Sequence, residues 1–239
     1  MISNIINFLN SYKLFTITLN FSIVVQIITG LIEFFTIFVS VNKNILFLKN
    51  LLIIECVVQI IELLFYIWLF INLQNVTNIA SKRYFDWVIT TPTMLFTLVM
   101  YLIYTKSNNT SELDLYETVY ENKNNLIIIT LLNLFMLIFG YLGEIEAIHK
   151  FSSLTFGFIP FILYFWLIYE NYAKYSDFGK KLFYYFFIVW TFYGIVAYLP
   201  YYLRNSCYNI LDLFAKNFFG LYLSFIILKN TDVVNNLII

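Results

Sequence analysis

The sequence predicts an all-α membrane protein, a seven-transmembrane-helix bundle forming a single domain over residues 1–239. Three observations carry that prediction. Only 12% of the 239 residues are charged, against 61% hydrophobic, and the mean hydropathy is +0.79. A soluble domain carries about 25% charged residues because its whole surface meets water, so most of this surface is expected to meet lipid. Apolar segments long enough to cross a bilayer, for which roughly 20 residues are needed, recur at about 14–41, 45–73, 84–105, 124–143, 151–172, 179–203 and 209–229. Backbone groups in hydrocarbon must also be satisfied within their own segment, so these spans are helices despite their β-branched residues.

The first span follows MISNIINFLNSYK, which lacks the basic region and small-residue cleavage site of a signal peptide. It is therefore expected to be retained. The longest connection, KSNNTSELDLYETVYENKNN, lies between the third and fourth spans and carries four acids. Basic residues near the span ends favour an outer N-terminus and a cytoplasmic C-terminus. Lys43, Lys49, Lys106, Lys123, Lys174, Lys180, Lys181 and Lys229 then lie inside, and Lys13, Lys82, Lys150 and Arg204 outside. Asn75-Val76-Thr77 would form an external glycosylation sequon. The net charge is zero, which points to no nucleic-acid partner. Cys56 sits in an apolar run and Cys207 in what reads as a short loop, so neither a disulfide framework nor a metal site is expected. Membrane lipids are the implied surroundings.

Seven ionisable residues fall within or at the edge of the spans: Glu33, Glu55, Glu62, Arg83, Asp86, Asp212 and Lys216. Each costs roughly 2.5–3.5 kcal/mol on insertion scales and needs a reason. Glu33 is close enough to a span end to snorkel to the interface or to face inward. Lys216 lies mid-span and has no such escape. Asp212 and Lys216 are four apart and share a helix face. Such a pair is either structural or the setting of a lysine that forms a Schiff base with an aldehyde. In Arg83-Tyr84-Phe85-Asp86-Trp87, followed by Thr90-Thr91-Pro92, Asp86 and Thr90 share a face with Arg83 one turn outward. Two aspartates, one arginine and one lysine make a neutral buried quartet.

With these residues in view, the sequence resembles the microbial (type 1) rhodopsins. RYFDWVITTP is similar to the family's third-helix motif, and DLFAK to its seventh-helix motif ending in the retinal lysine. The resemblance implies all-trans retinal bound covalently to Lys216, with Asp86 and Asp212 as counter-ions and proton acceptors. Arg83 would tune them from the outer side, and Thr90 would hydrogen-bond Asp86. It further implies a retinal pocket of Trp87, Thr91, Met94, Asn133, Met136, Gly140, Trp190 and Tyr193.

The sequence departs from the pump pattern of that family. Thr97 stands where an outward proton pump usually carries its second third-helix carboxylate, and YLPYYLRNSCYN lacks the glutamates of the usual release group. Gly194 replaces the common sixth-helix proline, which puts that kink in doubt. In their place, Glu55, Gln59, Glu62 and Tyr66 form one narrow polar stripe on the second helix. Ser22, Gln26, Thr29 and Glu33 repeat the spacing on the first, extended by Thr18 and Thr36. Either stripe alone reads as interhelical hydrogen-bond glue. Facing each other, they would line a cation-attracting path. With Asn217 after the lysine, these features resemble the viral rhodopsins of giant algal viruses, particularly the group 1 viral channelrhodopsins. That resemblance implies a light-gated cation channel carrying monovalent cations or protons, with Ser22, Gln26, Glu55, Gln59, Glu62 and Asn217 along the path. The host cell membrane would be its location, and a homo-oligomer stays open. The alternative is an outward proton pump with a second-helix glutamate, Glu55, as donor. A photosensor acting on a membrane partner is disfavoured by a tail of about ten residues after Lys229. An enzyme is not expected, because His149 with Glu144 and Glu146 reads as an interfacial cluster.

Overall fold

A computed structural model describes residues 8–107 and 113–231. Glu112 of the third connection, the first seven residues of the N-terminal stretch and the tail 232–239 lie outside the described residues. All regular structure among the described residues is helical. Seven helices form the bundle: α1 (Tyr12–Ile37), α2 (Lys43–Ile71), α3 (Ile79–Lys106), α4 (Leu115–Glu144), α5 (Lys150–Asn171), α6 (Asp177–Val196) and α7 (Tyr201–Lys229). All but α6 are long and apolar enough to cross a membrane. At 20 residues α6 is the shortest, and Lys180, Lys181 and its tyrosines lower its hydropathy.

Helix starts follow local chemistry. Ser11, Asn78, Asp114 and Ser176 each precede a helix and accept a backbone N–H at 2.9–3.2 Å, satisfying donors that a helix leaves unpaired at its first turn. Asp114 begins α4 about ten residues before the expected span, so most of the acidic connection is helix rather than loop. Pro200 marks the start of α7. It supplies no N–H to extend α6, so the break between the last two helices lies at 197–200, not at 203–209. Arg204, Asn205 and Ser206 are therefore on α7 and buried, not in a loop, and Cys207 is helical with them. Their polarity reflects an interior role. α6 runs unbroken through Gly194, where a Cβ would strike the Phe158 ring.

Consecutive helices pack as neighbours, and α7 closes the bundle against α1 and α2. The usual distribution of polarity is inverted. Phe35, Phe38, Ile71, Phe85 and Trp166 are exposed, while Glu33, Glu55, Glu62, Arg83, Asp86, Asp212 and Lys216 are each 3% exposed or less. Apolar residues outward and charges inward is the arrangement that lipid demands. The chain is an integral membrane protein.

The interface of α4 and α5 depends on Gly143, where a Cβ would overlap Ser153, whose Oγ donates to the Phe139 carbonyl at 2.7 Å. Gly143→Leu should cost about 1–3 kcal/mol through overpacking, seen as a lower thermal midpoint by circular dichroism. An unchanged midpoint would mean that the helices are not in this contact.

Candidate functional site

Lys216 stands at the centre of the bundle in a π-helical segment, Leu213–Asn217. Such wider turns occur frequently at functional positions in otherwise regular helices. Its Nζ donates to Asp86 Oδ2 at 2.5 Å, with Glu62 Oε1 at 3.8 Å and Asp212 Oδ1 at 4.0 Å. The two aspartates differ in their other partners. Asp212 accepts from Tyr66 Oη and Tyr193 Oη, each at 2.7 Å, and from Arg83 Nη1 at 3.0 Å. Asp86 keeps its second oxygen unpartnered among the described residues. Asp212 thus has its oxygens occupied by three donors, whereas Asp86 has a free oxygen beside the ammonium.

Arg83 is fully buried and lies on the N-terminal side of this centre. It pairs with Asp212 and not with both aspartates. Its second terminal nitrogen donates to Asn209 Oδ1 and, at 3.4 Å, to the Asn205 carbonyl. The Tyr66 and Tyr208 rings lie 5.5 and 5.7 Å from the guanidinium carbon. Thr90 departs from expectation. Its Oγ1 donates to the Asp86 backbone carbonyl at 3.0 Å, not to the carboxylate, the common way for a helical threonine to bond one turn back.

An apolar cavity runs from Lys216 between α3, α4, α5 and α6. Seven of the expected pocket residues line it: Trp87, Thr91, Met94, Met136, Gly140, Trp190 and Tyr193. Asn133 does not, and instead stands behind the wall, accepting from Thr91 Oγ1 at 2.9 Å. Trp87 meets Tyr193 edge-on at 5.5 Å, making one end wall. At Gly140 a Cβ would overlap the Tyr84 hydroxyl, so glycine lets Tyr84 pack against α4 in the cavity wall. A long apolar group attached at Lys216 fits this shape, with aromatic walls and carboxylates only at the amine end.

A model for bacteriorhodopsin-like proteins matches residues 17–230. The chain belongs to this family. Its members are photoreceptors, channels or pumps rather than typical enzymes, and bind retinal through a lysine. The bundle is also similar to solved rhodopsins. The viral rhodopsin OLPVRII is 28% identical over 91% of this chain and 99% of its own, with a TM-score of 0.80. The blue light-absorbing proteorhodopsin from Med12 is 18% identical over 90% and 97%, at 0.70. Halorhodopsin from Halobacterium salinarum is 14% identical over 91% and 95%, at 0.68. The last two likenesses concern the fold alone. No curated protein matches significantly.

In this rhodopsin a second polar system adjoins the lysine. Ser22 Oγ donates to the Asn209 carbonyl at 2.9 Å, and Asn209 Nδ2 to Thr18 Oγ1 at 3.0 Å. Gln26 Nε2 reaches Glu62 at 3.3 Å. Gln59 Nε2 meets the Gln26 carbonyl at 3.0 Å, and Asn217 Nδ2 bonds Thr29 and Gln59 at 2.7 and 2.9 Å. Glu55 accepts from Thr97 Oγ1. The stripes of α1 and α2 thus face each other and α7, forming one buried seam. Sequence reasoning missed Asn205 and Asn209. Their signal is spacing: 205, 209, 212 and 216 share one helical face once α7 is begun at Pro200. It also separated Glu62 from the lysine centre, to which Glu62 belongs. Glu33 is buried and does not snorkel. Glu144 pairs with Arg204 at 2.9 Å instead of clustering with His149, which caps α5 by accepting from Phe151 N–H at 3.3 Å.

Asp212→Asn should destabilise the protein by about 3–5 kcal/mol, because Arg83 would stay buried without its carboxylate. The check is the thermal midpoint of purified opsin; equal midpoints for the two proteins would mean that Arg83 has another counter-charge.

Proposed function

We propose that this rhodopsin is a light-gated cation channel, with its N-terminus outside and all-trans retinal bound as a Schiff base on Lys216. The observation that carries this reading is the continuous polar seam of α1, α2 and α7, which passes the lysine at Glu62. Two cations, Lys216 and Arg83, face three carboxylates there, Asp86, Asp212 and Glu62. One carboxylate in excess inside low dielectric attracts a further cation. At the C-terminal side a cavity of about 640 Å³, lined in part by Asn42, Asn44, Ser176 and Lys229, offers a wet exit.

Bound retinal supplies light absorption and isomerisation. The residues of the chain do the rest. Trp87, Trp190 and Tyr193 orient the chromophore. Asp86 Oδ2 takes the proton from the lysine nitrogen, which removes the charge that held Glu62 and Asp212 toward the centre. Gln26 and Arg83, bonded to those two carboxylates, then release their partners across α1, α2 and α7. Ser22, Gln26, Gln59 and Asn217 are the side chains whose mutual bonds must part for water and cations to enter.

The Glu55–Thr97 hydrogen bond supports a second reading, an outward proton pump with Glu55 as donor from the second helix. Voltage clamp under illumination separates the two. A channel gives photocurrent that reverses where the external cation gradient dictates, and Glu62→Gln should reduce it at least tenfold. Current of one direction at every voltage, insensitive to external cations, would sink the channel reading and favour the pump. Asp86→Asn should red-shift the visible band, since it removes the carboxylate closest to the nitrogen; an unshifted band would transfer the counter-ion role to Asp212.

A further inference from the structure

Beyond the lysine, toward the C-terminal side, the seam contains a carboxylate that nothing so far explains. Glu33 on α1 is 1% exposed, and neither of its oxygens has a hydrogen-bond partner among the described residues. The charged side chain acting on it is another carboxylate, Glu55, and the thiol of Cys56 is a weak donor at best. A buried carboxylate without donors costs several kcal/mol if it stays charged, so Glu33 persists either by holding a proton or by holding a bound cation.

The facing surface of α7 is built for this side chain. Asn217, Gly220 and Ser224 occupy one face of that helix. A Cβ at Gly220 would overlap the Glu33 carboxylate, so glycine makes room for it against the α7 backbone. Asn217 spends its Nδ2 on Thr29 and Gln59, leaving Oδ1 unpartnered, and Ser224 Oγ is unpartnered as well. Both residues are 2% exposed or less. Unpaired oxygens therefore flank Glu33 on the turns before and after Gly220.

We propose that Glu33 is the binding carboxylate of a monovalent-cation site between α1 and α7, flanked by the Asn217 amide oxygen and the Ser224 hydroxyl. The ligand class follows from the donors. Carboxylate, amide and hydroxyl oxygens suit hard cations. A calcium ion takes 6–8 oxygens, often from several carboxylates, and here one carboxylate stands with two neutral groups, since Glu55 is engaged by Thr97. A partly hydrated sodium ion matches that charge. The site deepens the channel reading and rests on it for a role in conduction, as the last station before the C-terminal cavity lined by Ile226 and Lys229.

Binding is testable in the dark, on the full-length retinal-loaded protein in lipid nanodiscs. Infrared difference spectra are recorded on exchange of N-methylglucamine for sodium chloride. The wild type should give a saturable sodium-dependent carboxylate band. Glu33→Gln should abolish that band with the visible pigment intact, and Gly220→Ala and Ser224→Ala should each raise the half-saturating sodium concentration at least tenfold. No sodium-dependent band in the wild type, or an undiminished band in Glu33→Gln, would overturn the site. If Glu33→Gln fails to assemble, unaltered titrations of both Gly220→Ala and Ser224→Ala overturn it equally. A reversing photocurrent without the sodium band would refute the site and leave the channel standing. A band lost in Glu33→Gln without any reversing photocurrent would support the site and refute the channel.

Discussion

A lysine nitrogen at the centre of a membrane-spanning bundle is tolerable only if it is paired, because a charge in hydrocarbon costs several kcal/mol. Here the partner is Asp86 Oδ2 at 2.5 Å, and much of the interior is organised around keeping that pair in place. Asp212 stands one turn away on the same helix, held by two tyrosine hydroxyls and Arg83. Arg83 in turn draws Asn205 and Asn209 of α7 inward. These bonds link α2, α3, α6 and α7, so the centre also fastens the bundle. The apolar cavity opens from the amine end of this cluster, and among the described residues no charged side chain other than Lys216 lines it.

The third carboxylate, Glu62, connects that centre to the seam of α1, α2 and α7. A neutral quartet of Arg83, Asp86, Asp212 and Lys216 would be electrostatically self-contained. With Glu62 at 3.8 Å from the lysine, it is not. Moving one proton from nitrogen to Asp86 then changes the balance felt by Gln26, and through Gln59 and Thr29 by Asn217. In the proposed function, the lysine centre and the polar seam share this carboxylate.

The helical class and the number of helices were legible because lipid imposes a simple rule on composition and segment length, although composition puts the break between the last two helices too late in the chain. Arg83, Asp86, Asp212 and Lys216 were legible because their spacing follows the helical repeat within a short stretch. Contacts between distant stretches were not. Nothing in the spacing of Glu62 places it beside Lys216, and nothing near Glu33 reveals that Gly220 would receive it. Polar residues were also misread where composition stood in for position: Arg204 and Asn205 look like loop residues until Pro200 is seen to start α7. Thr90 and Asn133 also depart from what the resemblance implies: Thr90 bonds a backbone carbonyl instead of the Asp86 carboxylate, and Asn133 bonds Thr91 instead of lining the cavity.

The central claim, that Lys216 with its carboxylates is the retinal-binding centre, is tested most directly by supplying all-trans retinal to purified Lys216→Ala opsin and recording its absorption. The account predicts a helical protein of native circular dichroism with no visible pigment band, beside a wild type that acquires one. A stable visible band in Lys216→Ala would contradict it.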